Sequence, residues 1–127
     1  MILLDTCTFI WLVFGSPDLS SQARGFIQKS NGLFLSAISI FEIAIKAKKG
    51  KLKLPSEIRE WYMAAIDNHN ITEIPLISSI AITATLIDLP HADPFDRIIA
   101  ATAKENRLIL LTPDAQLTQC KDIRCEW

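Results

Sequence analysis

Short apolar runs and longer amphipathic segments alternate along this chain. The runs ILLD at 2–5 and LILLT at 108–112 consist mostly of residues typical of strands buried on both faces. Segments between them, such as SEIREWYMAAI at 56–66, carry apolar residues three and four positions apart, as one face of a helix requires. Strands alternating with helices indicate βαβ units, so we predict an α/β fold with a central parallel sheet and helices on both faces.

Turn and cap residues set the expected bounds of these elements. We expect strands at 2–5, 31–39, 71–76 and 108–112, an edge strand at 123–127, helices at 18–30, 39–51, 55–70, 78–90 and 94–106, and a helical turn at 113–120. Ser39 and Glu42 have the spacing of a capping box, and Pro94 suits the first turn of a helix. Since no linker or repeat interrupts the pattern, we predict one three-layer domain over residues 1–127, with four to five strands.

Composition narrows the class of protein. The 127 residues are 50% apolar with a formal net charge of -1, which predicts a folded core and no overall attraction to nucleic acid. The start of the chain has no basic region, and no apolar run reaches membrane-spanning length, so we expect a cytoplasmic protein without membrane contact. Three cysteines without a CxxC pair indicate reduced thiols.

Acidic residues follow the predicted strands. Asp5 ends the first strand, Asp114 lies just past the strand at 108–112, and Glu42 lies one turn into the helix after the second strand. Asp93 and Asp96, three residues apart, share one face at the start of the helix at 94–106. Because parallel strands present their carboxyl ends at one edge of the sheet, we expect all these acids near that edge.

Each acid alone has a structural explanation as a helix cap or as a partner of the helix dipole. Together they repel one another by roughly 1 kcal/mol or more per close pair, so the set favours a bound divalent cation. Oxygen ligands suit Mg²⁺ or Mn²⁺, whereas Zn²⁺ prefers His or Cys. The chemistry this predicts is phosphodiester hydrolysis by metal-activated water, and no GxSxG elbow or phosphate-binding glycine loop points elsewhere.

Three blocks of the sequence carry a family resemblance: LLDTCTFIWL, SAISIFEIAIKAKKGKL and LPHADPFDRIIAATAKENRLILLTPD. They resemble the PIN-domain ribonucleases, in particular the VapC-like toxins of toxin–antitoxin pairs, and the HxDPFDR string is typical of one branch. The resemblance implies a catalytic quartet of Asp5, Glu42, Asp96 and Asp114. It implies Mg²⁺ or Mn²⁺ as the cofactor, bound by Asp5, Asp96, Asp114 and Asp93. Which of Asp93 and Asp96 is the direct ligand stays open.

Four further residues are expected to support these acids. Thr112 resembles the family's small hydroxyl residue and would orient a carboxylate. Thr6 would do likewise or bond local backbone. His91 is expected to be a hydrogen-bonding neighbour of the ligands more than a general base. Arg97 would form a structural salt bridge or hold a phosphate.

A lysine-rich stretch and the family resemblance suggest partners. Phosphate contacts to RNA are expected from Lys46, Lys48, Lys49, Lys51 and Lys53, unless these simply solvate a helix end. The choice of RNA over DNA follows from the resemblance alone. The resemblance also implies a cognate antitoxin and a homodimer or larger toxin–antitoxin assembly.

Two other enzyme or signalling classes fit the sequence less well. A haloacid dehalogenase-type phosphatase needs a second acid where this chain has Cys7, and a receiver domain needs an acid pair that is missing. The alternatives left open are a non-catalytic PIN-fold interaction module and a metal-dependent nuclease acting on DNA. The substitution Asp5→Asn is expected to abolish cleavage and, by relieving repulsion, to stabilise the metal-free protein.

Overall fold

The computed structural model describes residues 1–90 and 93–127. Its strands are β1 (Ile2–Leu4), β2 (Leu33–Ser36), β3 (Ile71–Ile74), β4 (Ile109–Leu111) and β5 (Cys125–Glu126). All strand pairs are parallel, and the sheet order is β3-β2-β1-β4-β5. The helices are α1 (Thr6–Phe14), α2 (Ser21–Lys29), α3 (Ala37–Lys48), α4 (Ile58–Asn68), α5 (Ser78–Leu86), α6 (Pro94–Asn106) and the short α7 (Ala115–Thr118). The predicted α/β fold with a parallel central sheet is confirmed.

The sheet is buried on both faces because neighbouring residues of a strand point to opposite sides. Leu3 of β1 packs with α5 and α6 in one buried cluster, whereas Ile2 and Leu4 pack with α1 and α4 in another. The same division separates Leu110 from Leu111 in β4. Strands with a core on each side must be apolar throughout, which explains the uninterrupted runs in the sequence.

Two local predictions differ from the structure. The sequence pattern assigned no element to residues 6–17, yet α1 begins directly after β1, with the Asp5 carboxylate capping it. The helix α3 begins at Ala37 and is capped by Ser36, whose hydroxyl accepts the backbone N–H of Ile38. The predicted capping box of Ser39 and Glu42 is therefore wrong, since a nearer serine caps the helix.

Among the described residues, none of the helices has the length and apolar character needed to cross a membrane.

Candidate active site

Asp5 is held rigidly at the carboxyl end of β1. Its side chain is buried, and one carboxylate oxygen, Oδ1, accepts the backbone N–H of Thr8 at 2.8 Å and the thiol of Cys7 at 3.2 Å. The other oxygen, Oδ2, accepts the hydroxyl of Thr112. Three donors thus satisfy a carboxylate that burial alone would penalise, and they fix its orientation.

The thiol of Cys7 serves Asp5 as a neutral donor. Burial and the neighbouring Asp5 charge raise the pKa of this thiol far above its usual range, so it stays protonated.

Thr112 joins the acids that follow β1 and β4. Its hydroxyl is fully buried, donates to Asp5, and accepts the backbone N–H of Asp114 at 3.1 Å. Asp114 in turn caps α7 by accepting the backbone N–H of Gln116 at 2.8 Å. The hydroxyl of Thr112, predicted from sequence to orient a carboxylate, therefore contacts the side chain of Asp5 and the backbone of Asp114.

We expect Thr112→Val to weaken both stability and activity. Valine keeps the side-chain shape but removes the donor to Asp5 and the acceptor for Asp114, at a cost of about 1–3 kcal/mol in unfolding free energy. If the site cleaves phosphodiesters, as the sequence predicts, loss of an orienting partner should lower the rate of that cleavage roughly 10- to 100-fold. Urea unfolding and an initial-rate assay measure the two effects, and Thr112→Ser, which keeps the hydroxyl, is the control. A valine variant with unchanged rate would contradict this orienting role.

Asp93 and Asp96 have different roles at the start of α6. Asp93 is the exposed N-cap, and its Oδ1 accepts the backbone N–H of Asp96 at 2.8 Å. Asp96 lies one turn further, where its side chain is half-buried. Burial, as the larger cause, and the negative charges of the neighbouring acids together raise the pKa of Asp96 to about 7; these acids are Asp93, Asp114, Glu42 and Asp5. Asp93 thus caps α6, whereas Asp96 is the acid whose pKa the charges of the neighbouring acids raise.

Glu42 approaches the same place from α3, which packs against α6. It is partly buried and lies 3.6 Å from the ammonium group of Lys46, one turn along the helix. The other lysines of the basic stretch, Lys48, Lys49, Lys51 and Lys53, are exposed. Only Lys46 forms an ion pair with a site acid among the described residues.

The acids lie close enough for their charges to interact, but among the described residues they are not arranged as a metal coordination shell. The negative charges of four other carboxylates act on Asp96. The predicted quartet and Asp93 therefore lie close together, at one edge of the sheet. However, among residues 1–90 and 93–127, no three acidic, His or Cys side chains are arranged so that they could hold a metal ion. Asp5, Asp93 and Asp114 instead accept backbone N–H groups and Glu42 pairs with Lys46, which accounts for their present orientations.

Among the described residues, Thr6 does not contact a carboxylate and Arg97 forms no salt bridge, whereas the alternative that Arg97 holds a phosphate stays a prediction. The hydroxyl of Thr6 donates to Ser39 at 3.0 Å, joining α1 to α3, and within residues 1–90 and 93–127 it forms no hydrogen bond with a carboxylate or with local backbone. Arg97 donates to the backbone carbonyls of Leu89 and Ile87 at 2.6 and 3.0 Å, so it anchors the segment that follows α5 rather than an acid. The expected role of His91 lies outside the described residues.

Ser39 and Cys7 are neighbours of the site that the sequence interpretation missed. Ser39 lies three residues before Glu42 and so on nearly the same helix face, a spacing that was interpreted as a cap instead. Cys7 lies two residues after Asp5, close enough for a local side-chain contact.

The parallel sheet with acids gathered at one edge is the arrangement expected of a PIN domain. The sequence agrees, since the PIN-domain family model matches residues 2–122, and the chain belongs to that family. It is 31% identical over 119 residues to Ribonuclease VapC22 of Mycobacterium tuberculosis (strain ATCC 25618 / H37Rv), covering 91% of this chain and 88% of that protein. The resemblance to VapC-like PIN domains inferred from the motifs is therefore confirmed.

Solved structures share the fold at lower identity. The crystal structure of VapBC2 from Rickettsia felis, bound to a DNA fragment from its promoter, has a chain with TM-score 0.71 and 18% identity, covering 99% of this chain and 98% of that chain. DNA-bound VapBC from Salmonella typhimurium has a chain with TM-score 0.70 and 21% identity, covering 98% of this chain and 96% of that chain. Since the identities are low, these likenesses establish the fold alone.

Proposed function

We propose that this protein is a metal-dependent endoribonuclease and the toxin of a toxin–antitoxin pair. The observation that carries the proposal is the gathering of five carboxylates at one sheet edge, where burial and the four neighbouring acids raise the pKa of Asp96 to about 7. So much like charge in one place is unfavourable unless a cation offsets it. The similarity to Ribonuclease VapC22 supports RNA as the substrate.

The donor set fits a hard divalent cation. Carboxylate oxygens are the preferred ligands of Mg²⁺ and Mn²⁺. Asp5, Asp96 and Asp114 would hold the ion, with Asp93 contributing if its side chain leaves the cap of α6. A bound Mg²⁺ or Mn²⁺ ion would lower the pKa of a water molecule and neutralise charge on the scissile phosphate.

The chain's own groups prepare this site in distinct ways. The donors from Thr8, Thr112 and Cys7 keep the Asp5 carboxylate in one orientation. The pKa of Asp96 is about 7, so its carboxyl group would lose its proton readily and hold a divalent cation as a carboxylate. Glu42 lies 3.6 Å from the ammonium group of Lys46, adds negative charge from the α3 side and would orient water.

Exposed lysines near the acids are suited to bind the phosphates of RNA. Lys48 and Lys49 lie at the end of α3, the helix that carries Glu42, and Lys51 and Lys53 follow in the next turn of chain. We propose that they contact the RNA backbone in a sequence-independent way and so position the strand across the acids.

A protein partner is also part of the proposal. Large apolar side chains are exposed along and next to α5, as are others on α1 and α4: Leu76, Ile77, Ile82, Leu86, Phe14 and Met63. Four of these side chains lie on α5 or just before it, and a group of exposed apolar side chains on one element is typical of an interaction site. The similar solved structures include toxin–antitoxin complexes, so we propose a cognate antitoxin as one partner and a second copy of the chain as another.

The proposal is tested by cleavage of labelled single-stranded and structured RNA by the purified protein. We expect cleavage with Mg²⁺ or Mn²⁺ and none with excess EDTA. Metal binding to the folded state alone should also raise the melting temperature by mass action. Matched DNA of the same sequence is the control.

Three outcomes would contradict parts of the proposal. Cleavage that persists in EDTA excludes the metal requirement, and cleavage of DNA alone excludes RNA as the substrate. Absence of cleavage of either, together with no metal-dependent stabilisation, would favour a non-catalytic interaction module.

A further inference from the structure

Two phenylalanines lie directly beside the acidic site, one from each helix that supplies it. Phe41 precedes Glu42 on α3, and Phe95 precedes Asp96 on α6. Their rings pack against each other with centroids 5.9 Å apart and planes tilted by 57°. This aromatic pair, Phe41 and Phe95, therefore joins the two helices at the border of the site.

The aromatic pair is not part of the hydrophobic core. Among the residues that the structure describes, neither ring belongs to the two buried clusters or to the side chains packed against them. Phe41 is 56% exposed, an unfavourable position for so large an apolar side chain in water. Packing of the fold does not explain why an aromatic residue stands here.

The charges around the pair favour one kind of occupant. Glu42 follows Phe41 on α3 and pairs with Lys46 one turn further on, and the exposed Lys48 lies at the end of the same helix. A single-stranded nucleic acid has both features that such a surface can bind: phosphates for the cation and lysines, and flat bases for an aromatic face. An apolar protein surface would have to desolvate these charged neighbours without matching them.

We propose that Phe41, braced by Phe95, is a stacking platform for an unpaired base of the RNA substrate next to the scissile phosphate. The inference rests on the proposed function and adds a substrate contact to it: Phe41 holds one base of the strand beside the scissile phosphate. Base–aromatic stacking is tolerant of sequence, so the platform would position the strand without reading a particular base.

The test uses the full chain and a short single-stranded RNA with one mapped cleavage site. Phe41→Ala and Phe41→Leu should each raise KM roughly 10-fold, the effect of losing one stacked base, whereas Phe41→Trp should keep it. kcat should change less. Gln22→Ala, at an exposed position on α2, is the control for loss of an exposed side chain outside the site.

A modified RNA identifies the stacked base. Replacing the nucleotides flanking the cleavage site one at a time with abasic ribose should, at one position, raise KM of the wild-type protein to the value of Phe41→Ala. At that position Phe41→Ala should cause no further loss, because the two changes remove the same contact. Additive losses at every position would overturn the proposal.

Other outcomes separate this proposal from its competitors and from the proposed function. If Phe41→Leu restores wild-type KM, or if the loss accompanies a change in oligomeric state by light scattering, the surface is a protein interface and the platform is refuted. Binding of the same RNA in EDTA, followed by fluorescence anisotropy, tests the platform without catalysis. Binding that depends on Phe41 without any cleavage refutes only the nuclease, and cleavage indifferent to Phe41 refutes only the platform.

Discussion

Asp96→Asn is expected to remove RNA cleavage while making the metal-free protein more stable at pH 8. Asparagine keeps the size of the side chain but removes the charge on which four other carboxylates act. In the proposed function Asp96 would be a metal ligand, so its loss should lower the cleavage rate roughly 100-fold or more. The gain in stability follows from removing a half-buried charge that its neighbours repel.

The pH dependence of this gain has a definite sign. Burial and neighbouring charges raise the pKa of Asp96 from an ordinary 3.8 to about 7 in the folded state. Between those values the folded protein binds more protons than the unfolded chain, so the stability of the wild type falls as pH rises through this window. The variant lacks this titration, so its advantage should be absent near pH 4 and complete above pH 7.

The size of the gain is limited by solvent. A full shift would correspond to about 1.4 kcal/mol per pKa unit, but the carboxylate keeps contact with water, so we expect about 1–2 kcal/mol. Urea unfolding in EDTA at several pH values measures it. Asp67→Asn, at an exposed position on α4, is the control and should change little. A variant no more stable than wild type at pH 8 would contradict the assignment of Asp96 to a repulsive acidic cluster.

The sheet could be predicted from the sequence because strands buried on both faces are apolar at every position. Leu3 and Leu4 face different cores, so β1 cannot contain a polar position, and β4 follows the same rule. The helix α1 could not be predicted, because its sequence has no alternation of apolar and polar faces. Its residues TCTFIWLVF are nearly all apolar after the first turn, so no polar face reveals the helical period.

The acids of the site could be predicted because topology alone decides where strand ends meet. The contacts around them could not, since these depend on which rotamers packing permits. Arg97 illustrates the limit: its sequence neighbours Asp93 and Asp96 suggest a salt bridge, but the folded chain brings the carbonyls of Ile87 and Leu89 to its guanidinium. Likewise only the geometry of α6 shows that Asp93 is the cap.

Asp5→Asn is expected to abolish cleavage as fully as Asp96→Asn, roughly 100-fold or more, but to destabilise the protein. Relief of repulsion, considered from sequence alone, predicts the opposite. In the structure the Asp5 carboxylate accepts three donors, and an amide in place of Oδ2 leaves the hydroxyl of Thr112 without an acceptor. A buried donor left unpaired costs about 1–3 kcal/mol in unfolding free energy.

A double-mutant cycle isolates this cost. In a Thr112→Val background the lost hydrogen bond is already absent, so Asp5→Asn should destabilise the protein less than it does alone, and the difference is the coupling between the two side chains. Circular dichroism should show that all variants are folded. Stabilisation by Asp5→Asn in the wild-type background would mean that repulsion outweighs these hydrogen bonds, because Asp5 would then share with Asp96 the unfavourable charge that a bound cation must offset.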